Sequence, residues 1–176
     1  MSKTKIATIW LDGCSGCHMS ILDIDERLIE LAKHIEIVYG PLVDAQEFPR
    51  GVDVVIVEGA ISSQDDLEKV RLARERSKLL IALGDCAVTS NVPGMRNPIP
   101  VKAILDRVYV QGVDIGNGLP SDGIPALLRH AVPVHRAVKV DLHVPGCPPP
   151  ADAIFFVLSE LLEGRMPDLA GAVKFG

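Results

Sequence analysis

Five short runs rich in Val and Ile, separated by segments of helical periodicity, leave this chain few architectures. The runs are Lys5–Leu11 (KIATIWL), Ile35–Tyr39 (IEIVY), Val52–Glu58 (VDVVIVE), Lys78–Leu83 (KLLIAL) and Val138–Val144 (VKVDLHV). Apolar runs of this length read as strands buried on both faces, the mark of a parallel sheet, and Val and Ile suit a pleated, buried surface. Between them, Met19–Ala32 places Ile21, Leu22, Leu28, Ile29 and Leu31 near helical spacing. Gln64–Ser77 has Leu67, Val70 and Leu72 on one side, with Ser63 as N-cap and Asp65 and Asp66 at the positive end of the helix dipole. Ala151–Glu163 is an apolar closing helix, entered through Pro148, Pro149 and Pro150 and stopped by Gly164. Strands alternating with helices predict an open α/β parallel sheet with right-handed crossovers and helices on both faces.

One stretch breaks the alternation. Residues 91–133 carry six prolines and several glycines, with short helical candidates at Val101–Arg107 and Ile124–Ala131. A long Pro/Gly-rich insertion before the last strand reads as a functional or partner-binding surface. Because a strand and a helix follow it, the expectation is one domain over residues 1–176.

Composition excludes several classes. The chain is 48% hydrophobic and 23% charged, an ordinary globular balance, and its formal net charge of −5 argues against nucleic acid as a partner. No segment approaches the roughly 18 consecutive apolar residues of a membrane span. The start, MSKTKIATIWLDGC, has no signal-peptide or twin-arginine pattern, so the expected location is the cytoplasm.

The four cysteines then have to be explained. In a reducing compartment they read as ligands or redox groups rather than disulfides. Cys14 and Cys17 follow the first expected strand, Cys86 the fourth and Cys147 the fifth. In an open parallel sheet these ends lie on one edge, where ligands bind. Three strand-end loops therefore deliver four thiols to one side, a donor set suited to a cubane [4Fe–4S] cluster. Gly13, Gly16, Gly84 and Gly146 beside them let backbone approach such a group and leave N–H groups free for sulfur. Other readings stay open at this point. Each thiol taken alone fits a small buried hydrophobe. Zinc uses the same donor, although structural zinc favours two paired motifs and only Cys14 and Cys17 are paired. A thioredoxin-like pair would leave Cys86 and Cys147 unexplained.

The motifs IWLDGCSGCHMS (9–20), VEGAI (57–61), GDCA (84–87) and PGCPP (145–149), in this order and spacing, resemble the small subunit of nickel–iron hydrogenases. Without a C-terminal extension bearing further cysteines, the chain is similar to the short, one-cluster small subunit of the cytoplasmic, bidirectional NAD-reducing type, as is the segment GLPSDGIPALLRHAVPVH. The resemblance implies a flavodoxin-like fold. It also implies one [4Fe–4S] cluster on Cys14, Cys17, Cys86 and Cys147, proximal to a Ni–Fe centre on a separate large subunit. Electrons from hydrogen would cross it toward flavin and NAD diaphorase subunits with further iron–sulfur clusters. The related 20 kDa-type subunit of respiratory complex I usually has adjacent cysteines at the first motif; here Ser15 and Gly16 separate them.

Other residues carry paired expectations. Glu58 ends the third strand on the cysteine edge. It is either a solvated strand cap or a carboxylate of a proton path or of the cluster's surroundings. Asp85 reads as a loop residue accepting backbone N–H bonds. His18 reads as a surface or helix-start residue or a donor to cluster sulfur, Trp10 as core or interface packing, and Ser20 as a helix cap or cluster neighbour. FMN binds at such strand ends in true flavodoxins, but here cysteines fill the first loop, which leaves FMN only a secondary place near a large-subunit interface. A zinc-stabilised scaffold and a free-standing flavodoxin-like carrier are the competing functions.

Overall fold

The computed structural model describes residues 3–111, 118–119 and 121–175. Its centre is a five-stranded parallel sheet of β1 (Thr4–Trp10), β2 (Ile35–Tyr39), β3 (Val52–Glu58), β5 (Ser77–Leu83) and β7 (Leu142–Val144), in the order β2-β1-β3-β5-β7. The chain moves outward from β1 to β2, then returns across β1 to build the other half. This is the doubly wound, flavodoxin-like order, with its switch point between β1 and β3.

The strands are mostly apolar because both faces are covered. Ile9, Val55, Val57, Leu80 and Ala82 pack on one side with Val70 and Ala73 of helix α3 (Gln64–Arg76). Ile6, Val54, Ile56, Ile81 and Leu83 point to the other side. There they meet Ile154, Val157 and Leu158 of α7 (Ala151–Leu162) and Ile24 and Leu31 near α1 (Gly16–Leu22) and α2 (Arg27–Leu31). Helix α3 starts as its sequence implies. Ser63 accepts from the Asp66 N–H at 3.1 Å and Asp66 accepts from the Ser63 N–H at 2.9 Å, a complete capping box.

Four expectations need correction. The single helix over Met19–Ala32 is two, α1 and α2, broken where Asp25 takes a positive φ of 56°. The last strand is not Val138–Val144 but only Leu142–Val144, pairing with Ile81–Leu83. The helical candidate Val101–Arg107 is α6 (Val101–Leu105), running on into a π-helical turn over Asp106–Val110. The candidate Ile124–Ala131 is no helix. Leu127–Val132 is β6, antiparallel to β4 (Ile61–Ser63) in a separate two-stranded ribbon.

Side chains that follow the short helix α5 (Asn91–Gly94) hold that ribbon. Asn97 exchanges two hydrogen bonds with the Ala131 backbone, both 2.8 Å, and Arg96 donates to Ser62 O and Leu128 O at 3.1 and 2.9 Å. These bonds satisfy backbone groups that a helix would have paired internally. Residues 112–117 and 120 of the expected insertion lie outside the described residues.

Candidate metal centre

All four thiols lie just beyond the C-terminal edge of the central sheet. Cys14 and Cys17 follow β1, Cys86 lies in α4 (Gly84–Thr89) directly after β5, and Cys147 follows β7. Cys17 is buried, Cys86 half-buried, and Cys14 and Cys147 are exposed.

The loops are locked together at Gly84. Its φ is +83°, and a Cβ there would fall 2.2 Å from Cys17 Sγ and 3.5 Å from Gly146 O. Glycine is needed both for the left-handed backbone and for the space the Cys17 thiol fills. The next residue, Asp85, joins two cysteine loops. Its N–H donates to Gly146 O at 2.9 Å, and its Oδ1 accepts from the Gly146 N–H at 2.7 Å. It accepts a backbone N–H as its sequence suggests, although it lies in the first turn of a helix and not in an open loop. Ser20, only 3% exposed, is no helix cap. Its hydroxyl donates to Pro149 O at 2.5 Å and fastens α1 to the Cys147 loop.

The electrostatics suit a cationic guest. The Cys17 thiol is pushed well above its usual value, first by burial, then by Glu58 and by Cys86, Cys14 and Cys147. Cys86 is raised by burial and by Cys147, Cys14 and Glu58, and lowered in part by the N–H of Val92 that faces it. Gly16 likewise directs its N–H at Cys14 Sγ, at 3.4 Å. Positive metal charge would offset the burial and neighbouring negative charge that raise Cys17 and Cys86, and so favour their thiolates. Amide-to-sulfur hydrogen bonds are among the features that set a cluster's potential. An all-thiol donor set with such amides fits an iron–sulfur cluster. Among the described residues, no three His, Cys, Asp or Glu side chains are gathered to hold a single metal ion.

Glu58 is 2% exposed, so it is no solvated cap. Its Oε2 accepts from the His18 N–H at 3.0 Å and also meets His18 Nδ1. His18 is correspondingly buried and not a surface residue, and its Nε2 is buried without a hydrogen-bond partner among the described residues. No spacing signal announces this pair, which joins α1 to the end of β3. The loop after β1 is stapled to the loop after β3 by reciprocal bonds between Asp12 and Ala60, 3.1 and 2.8 Å. Trp10 is 48% exposed and donates through Nε1 to Gly13 O at 3.0 Å, so it props the first cysteine loop instead of filling the core.

Known proteins are similar to this chain in sequence and in fold. Residues 14–161 match the family described as NADH ubiquinone oxidoreductase, 20 Kd subunit. The chain is 39% identical over 177 residues to the NAD-reducing hydrogenase HoxS subunit delta of Cupriavidus necator, covering 98% of this chain and 85% of the relative. It belongs to the hydrogenase small-subunit branch of this family. The matched segment takes in all four cysteines of the small subunit. A solved NAD+-reducing [NiFe]-hydrogenase in the H2-reduced state contains a chain 36% identical to it, with a TM-score of 0.95 over 99% of this chain and 100% of that one. A vhu-type F420-non-reducing hydrogenase subunit of Methanocaldococcus jannaschii is 40% identical over 167 residues. That match spans 94% of the small subunit but only 58% of the longer methanogen relative. Among the described residues no helix is long and apolar enough to cross a membrane.

Proposed function

We propose that this chain is the electron-relay small subunit of an NAD-reducing nickel–iron hydrogenase, and that Cys14, Cys17, Cys86 and Cys147 hold one [4Fe–4S] cluster. The observation that carries the reading is the end-to-end match, at a TM-score of 0.95, to a chain of a solved NAD+-reducing [NiFe]-hydrogenase. Convergence of the four thiols on the switch-point edge of the sheet supports the ligand set. Hydrogen is split at a Ni–Fe centre on a large partner subunit, and the electrons leave toward flavin- and NAD-binding diaphorase subunits with further clusters, reversibly and in the cytoplasm. A cubane supplies one-electron transfer. Oxidation of each H2 releases two protons and two electrons, so NAD+ reduction takes two passages. The protein's own part is to hold the thiols, aim the Gly16 and Val92 amides at sulfur, and bury Glu58 beside the site as a proton-path carboxylate. FMN bound at the large-subunit interface is the secondary cofactor reading.

The 20 kDa-type complex I subunit is the second reading, favoured by the description of the matched family. The two separate on substrate. Complexes containing this chain should reduce NAD+ with hydrogen, and Cys86→Ser should abolish that reaction while leaving NADH-driven dye reduction by the diaphorase part intact. Hydrogen-independent quinone reduction in place of hydrogen-dependent NAD+ reduction would select the second reading.

A further inference from the structure

The Cys147 loop is unusually poor in bonds of its own. Residues 145–150 read Pro-Gly-Cys-Pro-Pro-Pro, so only Gly146 and Cys147 carry a backbone N–H. A segment with two donors cannot fix itself by internal hydrogen bonding, and its position must come from elsewhere. It comes from two buried side chains. Asp85, 4% exposed, takes the Gly146 N–H on Oδ1 at 2.7 Å, while its own N–H returns a bond to Gly146 O at 2.9 Å. Ser20, 3% exposed, donates to Pro149 O at 2.5 Å. The clamps grip residues on either side of Cys147, and each is borne by an element that carries another thiol. Asp85 precedes Cys86 in α4, and Ser20 shares α1 with Cys17.

We propose that Asp85 and Ser20 are positioning residues for the fourth thiol, so that the Cys147 corner of the cluster is the one that opens when either clamp is removed. This rests on the four-cysteine [4Fe–4S] reading above. Cys14 and Cys17 share one loop and its helix, and Cys86 is held within a helical turn. Cys147 stands exposed on a proline-rich loop whose anchorage is borrowed. With an oxidant such as ferricyanide, a cubane with a loosened corner loses that iron. [4Fe–4S]2+ gives [3Fe–4S]+, one Fe2+ and one electron, and the ferricyanide takes the electron.

The test uses the anaerobically purified holocomplex titrated with ferricyanide, with iron released and the EPR signal of the oxidised three-iron cluster followed against time. Asp85→Ala and Ser20→Ala are expected to form the three-iron species about tenfold faster than wild type, the factor for one lost hydrogen bond of ordinary strength. Asp85→Asn keeps an oxygen for the Gly146 N–H and is expected to behave as wild type. If Asp85→Ala does not fold, Ser20→Ala and Asp85→Asn still decide. Wild-type rates in both alanine variants, or an Asp85→Asn variant as labile as Asp85→Ala, overturn the proposal. A wild-type complex whose small subunit holds no iron or sulfide overturns the cluster reading beneath it, a result distinct from any difference among variants.

Discussion

The Cys17 thiol occupies the place where a side chain on Gly84 would be: an ideal Cβ there lies 2.2 Å from Cys17 Sγ. No side-chain rotation at residue 84 relieves that contact, because the Cβ is fixed by the backbone, and φ at Gly84 is already +83°. Gly84→Ala should therefore displace Cys17 or the start of α4. The expected outcome is a chain with most of its iron lost, measured by metal analysis against total protein, whereas Gly51→Ala, at a positive φ with open space around it, should keep its iron.

Glu58 and His18 form a buried pair that neither residue's neighbours in sequence announce. Glu58→Gln preserves size and an acceptor oxygen but removes the exchangeable acid. Iron and sulfide contents should match wild type while hydrogen-dependent turnover falls by about 10²-fold, the lower end for loss of a general acid–base group. Unchanged turnover removes Glu58 from the proton path. His18→Phe leaves the buried carboxyl short of a partner and should cost about 1–3 kcal/mol in chemical denaturation.

Stability away from the site can be separated from cluster chemistry. Ser63→Ala deletes half of the capping box of α3 and should cost about 1 kcal/mol. A lowered denaturation midpoint with iron content and hydrogen turnover unchanged at working temperature is the expected result.

Asp141 gives a pH-dependent contribution. Burial raises its pKa, but the Leu80 N–H at 2.9 Å and the Arg74 and Lys139 cations outweigh this and hold it below the ordinary carboxylate value. The unfolded chain thus binds this proton more readily than the folded one. The stabilisation is complete above the unfolded pKa and is lost as pH falls through the folded one. Asp141→Asn should be less stable than wild type near neutrality, and the gap should close on acidification below about pH 5, followed by urea midpoints across pH.

The central sheet was legible because its chemistry is local. A strand covered on both faces is apolar on both sides through its interior, and Val54–Val57 shows this in its own residues, with β2 and β3 at the expected bounds. The convergence of the thiols followed from the same reading, since strand ends in a parallel sheet share an edge. The ribbon strand Leu127–Val132 was not legible. Its backbone is paired by Ile61–Ser63 and by the side chains of Arg96 and Asn97, and none of these partners lies next to it in sequence. The break at Asp25 depends on one left-handed residue inside an otherwise helical pattern. Around the site, the clamps Asp85–Gly146 and Ser20–Pro149 and the pair His18–Glu58 are long-range contacts. A single sequence records the residue types but not their meeting.

The central claim, that four thiols from three loops hold one cluster, is tested most directly by iron and acid-labile sulfide on the anaerobically purified, co-expressed small subunit, with EPR after dithionite reduction. The account predicts about four iron and four sulfide per chain and a reduced-cubane signal that disappears in both Cys86→Ser and Cys147→Ser. Zinc in place of iron, or a cubane signal that survives replacement of Cys86 and of Cys147, would contradict it.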